Sequence, residues 1–175
     1  MINKNSKKIF SLILITIIIT FLLIFILTWI SICLSDDTKK LNEFWNLRIP
    51  SPNEKVEALI SEPDFLGDGE SFITYRYSDN KFNKIKKLNI GEVIDNKNIN
   101  IIKKNIKDFE NKVLNINDSK ENSNGKKIVE KVFKENPIKI SIDDRYLYLK
   151  KEDNSELFLI IKNNERKVYI LQIIM

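Results

Sequence analysis

The sequence predicts an α+β domain held behind an N-terminal transmembrane helix, and three observations predict it. Residues 9–34 run for 26 positions without an Asp, Glu, Lys or Arg. Short segments of alternating apolar residues stand on either side of a stretch with clear helical periodicity. The C-terminal quarter is a series of β-branched and aromatic runs separated by polar turns. The expected architecture is a small antiparallel sheet, an N-terminal hairpin plus a C-terminal meander, packed by two or three helices.

The N-terminal run comes first in order. A helix of 26 residues would be about 39 Å long, against a hydrocarbon core of about 30 Å. It lacks Gly and Pro, and Trp29 stands where an interfacial aromatic belongs. Such a helix has no polar face to turn to water. It is also too long for the apolar region of a cleaved export signal, and Ile32 before Cys33 does not suit lipoprotein processing. Residues 1–8 are thus a basic flank, 9–34 the anchor with Ile9, Phe21, Trp29 and Leu34 in the bilayer, 35–53 a tether and entry segment, and 54–175 the soluble domain. Lys4, Lys7 and Lys8 crowd one side of the anchor, which favours a cytoplasmic N-terminus and an extracytoplasmic domain.

Charge and composition exclude several functions. Of the 29 basic residues, 26 lie beyond Cys33 with all 24 acidic ones, leaving that part near neutrality. Clustered cations for a phosphate backbone are absent, so no nucleic acid is expected as a partner. There is no histidine and a single cysteine, which removes histidine-based catalysis, the usual zinc ligand sets and an internal disulfide. No cofactor is expected. The richness in Lys, Asn and Ile suggests an AT-rich, bacterial coding sequence.

Within the domain, Leu41–Leu47 has the makings of a short helix with Phe44 and Trp45 apolar, stopped by Pro50 and Pro52. Lys55–Ser61 reads as a strand with Val56, Ala58 and Ile60 on one face, and Ser71–Tyr77 as its partner with Ile73, Tyr75 and Tyr77 alternating. Ser78 or Asp79 caps a helix that buries Phe82, Ile85 and Leu88. From Asn98 to Asn117 the residues Ile99, Ile102, Ile106, Phe109, Val113 and Ile116 form one stripe, too short for a coiled coil and suited to packing on the domain's own sheet. Asn117–Lys127 reads as a loop. A second helix follows through Ile128, Val132 and Phe133, ended by Asn136-Pro137. Ile138, Ile140 and Ile142 alternate ahead of the strands Arg145–Lys151, Glu156–Lys162 and Lys167–Ile174.

Candidate sites are few. Asp64, Asp68 and Glu70 stand near Gly67 and Gly69 and offer oxygen ligands of the kind calcium takes, but the spacing is not that of an EF-hand and equally suits a turn. Asp143 and Asp144 make an acidic pair whose side chains, if in a strand, point to opposite faces. Tyr146 and Tyr148 share the face opposite Leu147 and Leu149 and form the best hint of a contact surface.

The lysine-flanked anchor, Arg48-Ile49-Pro50 leading into Lys55–Ser61, the turn Gly67-Asp68-Gly69-Glu70 before Phe72–Tyr77 and the closing meander together resemble small single-pass membrane proteins of low-G+C Gram-positive bacteria. The resemblance implies a class and a surface location, and brings no activity with it. The expected function is a membrane-tethered, non-enzymatic binding or interaction module of the cell envelope. Its partners would be the lipid bilayer, through the N-terminal helix, and an envelope protein or small ligand. A carboxylate-dependent envelope hydrolase and an immunity protein are the alternatives.

Overall fold

The computed structural model describes residues 13–26, 37–61, 69–119 and 124–175. Helix α1 covers residues 13–26, and every one of its side chains is exposed. Among the described residues no helix is long and apolar enough to cross a membrane; at 1.5 Å per residue the described part of α1 measures about 21 Å. Residues 9–12 and 27–34 of the expected anchor, with Ile9, Trp29, Cys33 and Leu34, lie outside the described residues.

The remaining elements are α2 (Asp37–Trp45), β1 (Glu54–Ile60), β2 (Gly69–Arg76), α3 (Asp79–Leu88), β3 (Glu92–Val93), α4 (Ile99–Ser119), α5 (Asn124–Glu135), β4 (Arg145–Lys150), β5 (Glu156–Lys162) and β6 (Lys167–Ile174). The strands form one antiparallel sheet in the order β1-β2-β6-β5-β4-β3. The expected hairpin (β1, β2) and meander (β4 to β6) are both present. They join because β2 pairs with β6 along its whole length, Gly69 opposite Ile174 through Arg76 opposite Lys167.

Helices cover both faces of the sheet, not one. On one face α2 and α3 bury Leu41, Trp45, Phe82 and Ile85 against Ile73, Tyr75, Leu159 and Ile170. On the other, α4 and α5 bury Ile102, Ile106, Phe109, Val113 and Val129 against Phe72, Phe158, Ile160 and Leu171. The reason is legible in β5, whose ELFLIIK is buried at every position: a strand with no polar face needs cover on both sides.

Several expectations are corrected. The tether and entry segment expected at 35–53 holds a helix, since α2 begins at Asp37 and Thr38 is buried. After α2 the chain turns through Asn46, whose φ is 52°. The Asn42 side chain fixes that turn: its Nδ2 donates to the Ile49 carbonyl at 2.7 Å, and its Oδ1 accepts from the Ile49 N–H at 2.9 Å. Val56, Ala58 and Ile60 do not share a face, because a bulge between Glu57 and Leu59 inserts one residue and reverses the sides that follow. Leu88 is exposed, since α3 is ending there and Asn89 takes the left-handed cap conformation. The loop expected at Asn117–Lys127 shrinks, as α4 runs to Ser119 and α5 starts at Asn124. In α5, Val129 points inward and Ile128 outward. Ile138, Ile140 and Ile142 form no strand; the first two pack as irregular chain against the α4–α5 cluster.

Candidate binding site

The acidic candidates separate. Asp64 and Asp68 lie outside the described residues, while Glu70 is buried within β2, its N–H bonded to Ser61 Oγ at 2.6 Å. Among the described residues no group of three or more His, Cys, Asp or Glu is placed to hold a metal. Asp143 has a φ of 72°, and its carbonyl accepts from the Asn163 side chain. Asp144 is buried: its Oδ2 accepts from Lys162 Nζ at 2.5 Å and from the Ser141 N–H at 2.8 Å, and its Oδ1 from the Asn163 N–H at 3.2 Å. The pair is a turn and a buried ion pair.

The two tyrosines of β4 have different surroundings. Both face α4 and α5, and Tyr146 packs into that cluster while its hydroxyl donates to Glu92 Oε2 at 3.3 Å. Tyr148 is more open and stacks on Phe158 with ring centroids 4.5 Å apart. It borders a notch of about 330 Å³ with Phe109, Lys112 and Glu156. Glu156, itself buried, is held by Lys112 at 2.7 Å and by Lys150 at 3.4 Å. Burial, followed by the negative charge of Glu156, raises the Tyr148 hydroxyl above the usual phenol range, and burial with Glu92 does the same for Tyr146. The leucines expected to meet the helices do so on the opposite side, where Leu147 and Leu149 pack into the α2–α3 cluster.

A larger concavity, unforeseen from the sequence, opens between α2 and the β1-β2-β6 end of the sheet. It is an apolar cleft of about 600 Å³, within the ~300–1,000 Å³ that small-molecule sites occupy. Leu41 and Phe44 of α2 form its roof; Ile60, Ile73, Tyr75, Ile170 and Ile174 form its floor. The bulge in β1 is what brings Ile60 to this side, opposite Ser71. Compared with protein-family models, curated proteins and solved structures, the chain matches none. The cleft is therefore read from its own geometry.

Five polar side chains punctuate the apolar lining. Ser71 is 8% exposed, and its hydroxyl has no hydrogen-bond partner among the described residues. Gln172 accepts the indole N–H of Trp45 at 3.1 Å. Lys40 of α2 and Lys55 of β1 also line it, Lys55 pairing with Glu57. Glu43, which pairs with Lys39 at 3.9 Å, is the acid among the lining residues. Sequence signals for two of these existed: Gln172 interrupts the run VYILQII, and alternation sets Ser71 on the side of Ile73 and Tyr75.

Proposed function

We propose that this chain is a membrane-tethered binding module of the bacterial cell envelope, anchored by residues 9–34 with its N-terminus in the cytoplasm and its domain outside. One observation carries the reading: a charge-free run of 26 residues, whose described part exposes large hydrophobics on all sides. Phe21 is 70% exposed and Leu22 56%, and apolar surface that extensive marks a contact with lipid or protein. A helix through this run would satisfy its own backbone in a bilayer, whereas in water it would have no polar face to turn outward.

Binding, as opposed to catalysis, is favoured by how two of the three buried acids among the described residues are used. Asp144 is consumed by Lys162 and two backbone N–H groups, and Glu156 by Lys112 and Lys150. The apolar cleft with a few polar groups has the make-up of a ligand site. The test is fractionation of cells carrying the full chain. The protein is expected in the membrane pellet after alkaline carbonate washing, and Ile17→Lys with Leu22→Lys should release it, since each lysine at the centre of a span costs about 2.5–3.5 kcal/mol. Recovery of the unsubstituted chain in the soluble fraction would overturn the reading.

A further inference from the structure

We propose that the cleft between α2 and the β1-β2-β6 end of the sheet receives one acyl chain of an anionic phospholipid drawn from the bilayer, with the phosphate headgroup at Lys40 and Lys55. The inference rests on the membrane-tethered reading and names the ligand for it.

Three features select this occupant. The roof and floor are hydrocarbon and aromatic, so the buried part of the ligand is apolar, and a volume of about 600 Å³ admits a single chain. The charged groups at the lining are Lys40, Lys55 and Glu43; Glu43 faces Lys39 and Lys55 faces Glu57, which leaves Lys40 as the lining cation with no ion-pair partner among the described residues. An anionic head complements that balance. The buried Ser71 hydroxyl and the amide of Gln172 supply donors within an otherwise dry wall, as an ester carbonyl requires.

Chain length places the cleft beside its source. The apolar run ends at Leu34 and α2 begins at Asp37. The three residue steps from Leu34 to Asp37 reach at most about 11 Å when extended. Lys40, Leu41 and Phe44 follow within two helical turns of the start of α2, so on the tethered reading they lie at most about 20 Å from the point where the chain leaves the membrane, close to the headgroups.

The experiment uses the full chain with Trp29→Phe, which leaves Trp45 as the single tryptophan of the original two. Trp45 is bonded to Gln172 and packed on Phe44, at 5.0 Å between ring centroids, so it reports on the cleft. The chain is reconstituted into vesicles containing phosphatidylglycerol or phosphatidylcholine with brominated acyl chains. Quenching of Trp45 is expected to be stronger with the brominated phosphatidylglycerol. Lys40→Glu, at the surface, and Lys55→Glu, half-buried at the cleft edge, should each lower that preference roughly fivefold, and Ser71→Phe should abolish quenching by filling the cleft. Absence of quenching in a chain that floats with the vesicles overturns the acyl-chain site. Equal quenching by both lipids, unmoved by the lysine variants, overturns the anionic headgroup. A chain that does not float defeats the tether reading and this inference with it.

Discussion

Removing the carboxylate of Asp144 should cost far more than the net worth of its ion pair. Lys162 and Asp144 lie 2.5 Å apart with side chains 4% and 2% exposed. In Asp144→Ala the Lys162 ammonium keeps Ser141 Oγ at 3.3 Å and Glu165 at 3.8 Å, the latter 41% exposed. Neither replaces a direct buried counter-charge, and the N–H groups of Ser141 and Asn163 lose their acceptor as well. Breaking one side of such a pair costs about 3–5 kcal/mol, and the account places Asp144→Ala in that range. Asp144→Asn keeps an acceptor for the backbone and should cost less. Combined with Lys162→Met, it removes the stranded charge as well, and the double variant should recover most of the loss. The coupling energy between the two sites should then reach about 1–3 kcal/mol. Urea unfolding of the full chain in mild detergent, followed by Trp45 emission in the Trp29→Phe background, measures all four corners of the cycle. Single variants costing under about 1 kcal/mol, or strict additivity, would refute the claim that this pair is closed to solvent.

Other consequences follow from the same geometry. Gly91 has a φ of 69°, and a Cβ there would lie 2.1 Å from the Tyr146 carbonyl oxygen, in a turn clamped by Arg145 bonds to the carbonyls of Ile90 and Gly91. Gly91→Ala should lose about 2–4 kcal/mol of stability by urea titration, and a cost within experimental error would contradict the turn. Trp45 is buried, and Trp45→Ala should cost about 3–5 kcal/mol by thermal melting monitored through far-UV circular dichroism; a silent change would mean that α2 is not part of the core. Tyr148 and Tyr146 have folded pKa values above the unfolded value of 10.0. Their neutral forms are favoured in the fold, so stability is intact below pH 10 and falls as pH rises through the folded values. Tyr148→Phe should flatten part of that alkaline loss in urea midpoints taken from pH 9 to 11, and an unchanged slope would remove the phenol from the account.

The parts of the fold with strong local periodicity were legible in the sequence. The stripe from Ile102 to Val113 does pack on the sheet, and the limits of β4, β5 and β6 fall within a residue of those expected. The errors arose where tertiary contacts decide. The alternation of Ile138, Ile140 and Ile142 looks like a strand, but Pro137 precedes it, Ile138 and Ile140 find cover without a ladder, and Ile142 stays exposed. A bulge at Ala58 is invisible to a period-two count. The helix α2 is short and polar at its start, so its entry into the core depends on Leu41, Trp45 and Ile49 meeting strands more than a hundred residues later. The cleft escaped for the same reason: it joins Leu41, Ile60, Ser71 and Gln172, which only the β2–β6 pairing brings to one place. The tyrosine face of β4 was half legible, in that Tyr148 is open and Tyr146 is packed.

The central claim is that the domain stands outside the cytoplasm, on a helix that stays in the bilayer. A cysteine placed at the exposed turn by Glu152→Cys, in a chain whose native thiol is removed by Cys33→Ser, makes this measurable with a membrane-impermeant maleimide on intact cells. The account predicts labelling of membrane-bound protein before lysis, at the level reached after lysis. Labelling that appears only once cells are broken, or label found only on protein shed into the medium, would contradict it.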